Sequence, residues 1–282
     1  MISVCVPATT ANLGPGFDVL GLALNLYNYV EIEKADNGFT IEVLGEGKNS
    51  IPLNEENIVF KGIEKVWNKC GYQCKGMHLR LVNKIPLARG LGSSAAAIVG
   101  GMVAANVLAG FPLSKQEILC LATELEGHPD NVAPALFGGL VITGAKENEI
   151  YNHSIKVSKA LRVAAIVPDF QLTTKVGREA LPRFVSLEDA SFNISRTAFL
   201  IAAFLSNEFH LLETAMEDRL HQSHRSKLIP GMEKALSNGK EAGALGVALS
   251  GSGPTLVAFS LGDEKLDHIA NSMKMAFNEE GI

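Results

Sequence analysis

The pattern of apolar and polar residues predicts a chain in which strands and helices alternate. Short alternating or β-branched runs predict strands at 2–6, 19–35, 39–44, 77–83, 138–143, 162–168, 243–250 and 255–260. Helical spacing and capping residues predict helices at 54–71, 114–127, 186–204, 208–220 and 263–277. The helix at Ser114 has the clearest start, because Glu117 completes a capping box.

One segment, 95–111, is apolar on every face, with Asn106 as its single strongly polar residue. It is shorter than the roughly 20 apolar residues that a bilayer requires, and alanine and glycine dominate it. We therefore expect a helix buried in a domain core rather than a membrane span. The stretch from about Lys146 to Lys159 is polar without strong periodicity, which makes it the best candidate for a domain junction.

Composition narrows the function classes. The 282 residues are 47% hydrophobic and 20% charged, which is typical of a globular protein with a sizeable core. A net charge of −5 with interspersed signs gives no basic footprint for nucleic acid. No basic residue precedes Lys34, so no secretory signal is evident and a cytoplasmic protein is expected.

Cysteine and histidine spacing points to no metal site. Four cysteines in a chain of this length do not form a disulfide framework. Cys70, Cys74 and His78 are evenly spaced, but no second ligand pair follows at a zinc-type spacing. His221 and His224 lack a carboxylate partner in the sequence pattern and are expected to be polar side chains on the surface rather than metal ligands.

The most informative stretch is Pro86-Leu87-Ala88-Arg89-Gly90-Leu91-Gly92-Ser93-Ser94-Ala95-Ala96. Its glycines permit tight turns and close approach of backbone N–H groups to an anion. The alanines that follow predict a helix from Ala95, whose free N–H groups and dipole favour phosphate. The alternative is a glycine turn that Ser93 or Ser94 caps.

This candidate phosphate loop does not match the Walker A, dinucleotide-binding or protein-kinase motifs. Gly-x-x-x-x-Gly-Lys-Ser/Thr occurs nowhere, no third glycine completes a dinucleotide fingerprint, and the His-Arg-Asp and Asp-Phe-Gly elements of protein kinases are missing from the sequence. The stretch from Pro86 to Ala96 instead resembles the phosphate loop of the GHMP small-molecule kinases.

Three further blocks resemble the homoserine-kinase branch of that family. They are the amino-terminal block from Pro7 to Asp18, the block from Glu126 to Pro134, and the Thr-Thr-Lys-x-x-Arg segment from Thr173 to Arg178. A further glycine-rich block, 251–254, is expected to pack beside the phosphate loop. The resemblance implies an α+β, two-domain GHMP kinase architecture. Residues 1–150 would form a ribosomal-protein-S5-like α/β domain that binds ATP, and 151–282 a ferredoxin-like α+β domain.

The resemblance also implies the activity, namely ATP-dependent phosphorylation of the side-chain hydroxyl of L-homoserine for threonine synthesis. It implies ATP and Mg²⁺ as cofactors, a small-molecule amino acid as substrate, and neither nucleic acid nor membrane as partner; a homodimer is among the expectations. Another GHMP kinase with a mevalonate-type or sugar substrate, and a non-catalytic metabolite sensor, are the alternatives.

Individual roles follow residue by residue from the same resemblance. The substrate-binding candidates are Asn12, Asp18, His128, Thr174, Arg178, Arg225 and Gly253, and the catalytic candidates are Asp130, Asn131 and Glu126. Asn57, Val59 and the residues from Pro86 to Ala96 are the candidates for binding ATP. Arginine suits a free amino acid's carboxylate because it donates two parallel hydrogen bonds, and an aspartate suits the ammonium. Ser94 and Glu126 are assigned to Mg²⁺, which prefers oxygen ligands, with Glu124 as the alternative carboxylate.

Overall fold

The computed structural model describes residues 1–147 and 149–282, and these residues form a mixed α+β protein, as predicted. The strands are β1 (Ile2–Asn12), β2 (Gly16–Lys34), β3 (Gly38–Gly45), β4 (Gly76–Asn83), β5 (Leu140–Lys146), β6 (Glu149–Ile155), β7 (Leu161–Ile166), β8 (Gly246–Leu249) and β9 (Leu256–Leu261). The helices are α1 (Ile58–Cys70), α2 (Ser93–Leu108), α3 (Lys115–Glu126), α4 (Pro129–Phe137), α5 (Thr174–Glu179), α6 (Leu187–Ser206), α7 (Leu212–Ala215), α8 (Gln222–Arg225), α9 (Met232–Glu241) and α10 (Leu266–Glu279). Short 3₁₀ turns at 209–211 and 226–228 complete the order.

The chain divides into two compact units. The first contains residues 1–9, 21–87 and 92–154, and the second contains 10–20, 88–91 and 155–282. The last change of unit falls within the predicted junction, although β6 occupies part of that stretch as a regular strand. The assignment of residues 1–150 and 151–282 to two functional domains stays a prediction.

The first unit is built on a sheet with the order β3-β4-β2-β5-β6, in which β1 pairs with β2. Strands β3 and β4 are parallel, with Phe39 opposite Met77, and α1 connects them. Helix α2 is buried on all sides, as its composition predicts, and Asn106 uses both ends of its amide on the backbone of Leu113. No helix in the described part of the chain is both long and apolar enough to span a bilayer.

The second unit contains an antiparallel sheet with the order β7-β9-β8. Its apolar core packs α9 and α10 against this sheet, around Leu249, Leu256 and Met273. The second unit also contains residues 10–20, where β1 ends, the chain turns and β2 begins. Within this stretch Asn12, Leu13 and Asp18 have positive φ.

Capping residues in the sequence correctly predicted where several helices begin or end. Asn57 caps α1 through its side chain, Gly71 ends that helix in the left-handed region, and Ser114 with Glu117 forms the predicted capping box. Ser186 caps α6.

Four expectations about the elements were wrong. Helix α2 begins at Ser93 rather than Ala95, and β1 continues through the block expected to be a loop from Pro7. The predicted helix at 208–220 is a 3₁₀ turn followed by the single turn of α7, because the backbone N–H groups after residue 218 bond to the Asp218 side chain instead. Helix α4 was missed because of its two prolines, although Pro129 occupies the first turn, where proline is tolerated.

Candidate active site

The glycine-rich loop has the backbone geometry of an anion-binding turn. Ala88, Gly90 and Gly92 have φ values of 53°, 77° and 65°, so every second residue is left-handed. Alternation of this kind turns successive N–H groups toward one side and forms a concave nest for an anion. Gly92 is also the N-cap of α2, whose start no side chain caps among the described residues. The first N–H groups of this 16-residue helix therefore have no side-chain acceptor among the described residues.

Neither serine caps this helix, which removes the simple-turn interpretation. The Ser93 hydroxyl donates to the carbonyl of Ile85 at 3.3 Å, and the Ser94 hydroxyl donates to the Glu126 carboxylate. The alternative interpretation, a turn that Ser93 or Ser94 caps, is therefore wrong.

Residues 88–91 of the loop are held by other parts of the second unit. Leu172 donates its N–H to the carbonyl of Ala88, and the Ser250 hydroxyl donates to the carbonyl of Gly90 at 2.6 Å. A Cβ on Gly90 would overlap the carbonyl of Ser250 and approach Gly253, so the second glycine-rich block packs against the loop as expected. The Arg89 guanidinium is paired with Asp169 at 3.0 Å.

In the first unit, Ser94 and Glu126 lie together while Glu124 does not join them. Ser94 Oγ is 2.7 Å from Glu126 Oε2. Burial raises the pKa of the Glu126 carboxyl, although the Ser94 hydrogen bond and the charge of His128 act in the opposite direction. Glu124 is 61% exposed and pairs with Lys65 at 2.7 Å. The sequence left open which of the two glutamates lies beside Ser94, and in the structure it is Glu126.

His128, Asp130 and Asn131 form a connected group at the start of α4. Asp130 is 3% exposed, and its Oδ1 lies 2.6 Å from His128 Nδ1. The Asn131 amide also donates to Asp130 Oδ1, at 3.4 Å, while its oxygen accepts from the Thr9 hydroxyl at 2.8 Å. A Cβ on Gly92 would overlap Thr9 Oγ1, so this group lies directly beside the first residue of the helix cap.

In the second unit, Asp18 and Arg178 form a bidentate ion pair. The two guanidinium nitrogens donate to Asp18 Oδ2 at 2.9 Å and Oδ1 at 2.6 Å. Both side chains remain more than one third exposed, so solvent reaches the pair. Asn12 accepts the N–H of Asp18 at 3.1 Å and donates to the carbonyl of Gly251 at 3.0 Å. These interactions hold Asp18 in its left-handed conformation.

Arg225 is a buried cation, only 2% exposed. Its Nε donates to the carbonyl of Gly177 at 3.0 Å and its Nη1 to the carbonyl of Gly251 at 2.9 Å. The expectation that His221 lies on the surface is wrong, because this side chain is fully buried and contacts Arg225. His221 and Asp218 were not predicted as site residues. Because a helix was predicted at 208–220, Asp218 was not recognised as a residue whose side chain caps the start of α8.

The remaining candidates are placed as follows. Asn57 caps α1 and donates to the carbonyl of Pro52, and Val59 is buried against Gly101 of α2. Thr174 is an exposed residue at the start of α5, and Gly253 has a φ of 88° with the side chain of Ile229 close by.

The cysteine and histidine side chains do not form a metal-binding cluster among the described residues. The four cysteines are free, and no group of three or more metal-ligating side chains occurs within residues 1–147 and 149–282.

Comparison with known proteins identifies the family. Residues 57–139 match the model of the GHMP kinases N-terminal domain, and 200–279 match that of the GHMP kinases C-terminal domain. A homoserine kinase of Carboxydothermus hydrogenoformans is 48% identical over 260 residues, which cover 92% of this chain and 85% of that protein. One from Desulfitobacterium hafniense is 45% identical and covers 100% of this chain and 94% of that protein.

Solved structures agree with this relationship. The crystal structure of homoserine kinase from Cytophaga hutchinsonii superposes with a TM-score of 0.91 at 34% identity, over 99% of this chain and 91% of that chain. A mevalonate kinase of L. major, solved with R-mevalonate, superposes with a TM-score of 0.74 at 15% identity, which shows a shared fold. The two-domain GHMP kinase fold is thereby confirmed, and the chain belongs to the homoserine kinase family of GHMP kinases.

Proposed function

We propose that this protein transfers the γ-phosphoryl group of ATP to the side-chain hydroxyl of L-homoserine and forms O-phospho-L-homoserine. The observation that carries the substrate assignment is the ion pair of Asp18 with Arg178. A free amino acid carries an ammonium and a carboxylate on one carbon. An exposed carboxylate beside an exposed guanidinium offers a partner for each charge.

The substrate groups are assigned by chemistry. Asp18 accepts hydrogen bonds from the substrate ammonium. Arg178 and Arg225 donate hydrogen bonds to the substrate carboxylate, for which a planar guanidinium is the best donor. Asn12 supports Asp18 by its 3.1 Å hydrogen bond. Thr174 and Gly253 also contribute to binding of the amino acid. His128 and Asn131 contact the side-chain end of the amino acid.

ATP is assigned to the glycine-rich loop from Pro86 to Ala96, whose free backbone N–H groups bind the phosphates, while Asn57 and Val59 approach the adenine. The convergent oxygens of Ser94 and Glu126 are of the type that Mg²⁺ prefers, and a Mg²⁺ ion takes one or two protein ligands together with nucleotide phosphates. When bound there, the ion would neutralise charge on the phosphates. A carboxylate whose pKa burial raises gains most from such a cation.

The transfer step needs alignment more than covalent help from the protein. The homoserine oxygen forms a bond to the γ-phosphorus while the bond from that phosphorus to the β–γ bridging oxygen breaks, and ADP leaves. The hydroxyl proton passes to the carboxylate of Asp130, which the His128 ring and the Asn131 amide hold in place.

A substrate panel tests the proposal. The purified protein with ATP and Mg²⁺ is assayed for ADP release against homoserine, mevalonate, galactose and shikimate. Homoserine should give the highest kcat/KM by orders of magnitude. A preference for any other alcohol would assign a different GHMP kinase activity, and no turnover with any of them would favour a nucleotide or metabolite sensor. Cytoplasmic location and a homodimeric state stay predictions.

A further inference from the structure

We propose that Asp218 and His221 are positioning residues, which hold the Arg225 guanidinium and the turn at residues 12–18 in the arrangement that binds the amino-acid substrate. The inference rests on the proposed function for its kinetic readout. All residues in the argument belong to the second compact unit.

Asp218 organises the short segment that carries Arg225. Its carboxylate is fully buried and accepts the N–H groups of Leu220, His221 and Gln222 at 3.0, 2.9 and 2.7 Å. Helix α8 has four residues, which is far too short to be stable by itself. The carboxylate therefore fixes the first turn of α8, and with it the starting point of the Arg225 side chain.

A second group links Asp218 to the turn between β1 and β2. The Asn193 amide donates to Asp218 at 2.7 Å and to the carbonyl of Pro15 at 3.2 Å. The Thr197 hydroxyl donates to the same Pro15 carbonyl at 3.2 Å. Gly14, the neighbouring residue, has a φ of 86° and packs so closely on the backbone of Met216 that a Cβ would overlap it. The turn is thus tied to α6 and to the segment before Asp218.

The partners of His221 define its hydrogen-bonding state. Nε2 lies 2.8 Å from the carbonyl oxygen of Gly14, which only accepts, so Nε2 carries the hydrogen. Nδ1 lies 3.2 Å from Arg225 Nη1, which only donates, so Nδ1 is the acceptor. The ring is consequently neutral and joins the substrate-binding turn to the buried arginine.

The connection continues from Arg225 to the exposed ion pair. Arg225 Nη1 and the Asn12 amide both donate to the carbonyl of Gly251, at 2.9 and 3.0 Å. Asn12 in turn accepts the N–H of Asp18, which pairs with Arg178. Movement of His221 would therefore disturb Arg225 directly and Asp18 through two hydrogen bonds. A role of this kind predicts an effect on amino-acid binding and none on nucleotide binding.

The experiment compares His221→Ala, His221→Asn and Asp218→Asn with the wild-type protein and with Asn106→Ala. Asn106 is a suitable control because it is equally buried and hydrogen-bonded at both ends of its amide, but lies in the first unit. His221→Ala and Asp218→Asn should raise KM for homoserine about tenfold or more and change KM for ATP less than about twofold. His221→Asn, which keeps an acceptor near the position of Nδ1, should recover part of this loss.

Asn106→Ala should lower Tm and leave both KM values unchanged. Equal changes of the two KM values in the His221 variants, or an unchanged KM for homoserine, would overturn the inference. The proposed function would still stand in that case, because it is tested by the activity of the wild-type protein with homoserine. A readout that needs no activity is hydrogen exchange of the Arg225 Nε–H, observed by ¹⁵N NMR. Exchange should be slow in the wild type and fast in His221→Ala. Unchanged exchange would overturn the inference even if homoserine were not the substrate.

Discussion

The hydroxyl of Ser94 donates a 2.7 Å hydrogen bond to the carboxylate of Glu126, and these two oxygens are the proposed metal ligands. Glu126→Gln keeps the shape of the side chain but removes the charge that a hard cation requires. We expect kcat to fall by about two orders of magnitude or more, with the Mg²⁺ concentration for half-maximal rate increased. Steady-state kinetics over a Mg²⁺ titration measures both quantities.

Glu124→Gln is the matched control, because Glu124 lies two residues earlier on the same helix and pairs with Lys65 at the surface. Exposed ion pairs contribute about 0–1 kcal/mol to stability, so this variant should be close to wild type in both stability and turnover. A large loss of activity in Glu124→Gln together with normal turnover in Glu126→Gln would transfer the metal role to Glu124.

Arg178→Lys tests the bidentate character of the pair with Asp18. Lysine keeps the positive charge but not the two parallel N–H donors, so it should bind a carboxylate less well. KM for homoserine should rise about tenfold or more, with KM for ATP changed less than about twofold. Arg80→Lys, in the exposed pair with Glu31, provides the control and should leave both KM values unchanged. An equal rise of both KM values in Arg178→Lys would argue against substrate binding.

Gly92→Ala separates backbone strain from the function of the loop. Gly92 has a φ of 65°, and an added Cβ would overlap the Thr9 hydroxyl. Gly110→Ala places alanine at a φ of 87°, but the described residues leave the space around its Cβ open to 4 Å. Gly110→Ala should cost about 1–2 kcal/mol of unfolding free energy from strain alone.

Gly92→Ala should cost more than Gly110→Ala in urea unfolding and should also raise KM for ATP, because Thr9 or the helix start must move. The Gly110 variant should bind ATP normally. Equal stabilities of the two variants, or normal ATP binding in Gly92→Ala, would mean that the close approach at Gly92 has no function.

Asp130→Asn examines the proton transfer. The substitution preserves size and leaves His128 and Asn131 in place, but an amide cannot accept the hydroxyl proton. General-base contributions are typically 10²–10⁴-fold, so kcat should fall by about that factor with little change in either KM. A fall of less than about fivefold would show that the hydroxyl reacts without a protein base.

The elements with strong local signals could be read from the sequence. Asn57 and Ser114 carry their own capping chemistry, and the alanine-rich segment after Gly92 is buried on all faces as its composition demands. The separation of Glu124 from Glu126 could not be predicted in this way. Both glutamates lie in the last turn of α3, and only the tertiary packing decides which of them reaches Ser94.

Buried polar groups were the main source of error. His221 has no local feature that distinguishes it from a surface histidine, because its partners Gly14 and Arg225 come from distant and neighbouring parts of the chain. The helix expected at 208–220 failed for a related reason. The carboxylate of Asp218 satisfies the N–H groups that a continuing helix would have used, which is the competition between side-chain and backbone hydrogen bonds.

The buried His221 should also make the stability of the protein depend on pH. Burial lowers the pKa of the His221 imidazole, against the opposing charge of Asp218, and the nearby Arg225 lowers it further while Asp18 raises it slightly. An unfolded histidine has a pKa of about 6.5, so below that pH the unfolded chain binds a proton that the native protein does not. The free energy of unfolding should therefore fall as the pH is lowered from about 7 to 5, with a slope of at most about 1.4 kcal/mol per pH unit from this group.

His221→Asn removes the titrating group and should flatten this part of the stability profile. Urea unfolding at pH 5, 6 and 7 measures the difference between variant and wild type, in which the contributions of other groups cancel. Asp218 does not interfere in this range. Burial alone would raise its pKa, but the electrostatic interaction with His221 and the hydrogen bonds from Gln222 and Asn193 lower it overall, so its stabilisation is lost only in more acidic solution. An unchanged slope in His221→Asn would show that the imidazole has the same pKa in the native protein as in the unfolded chain.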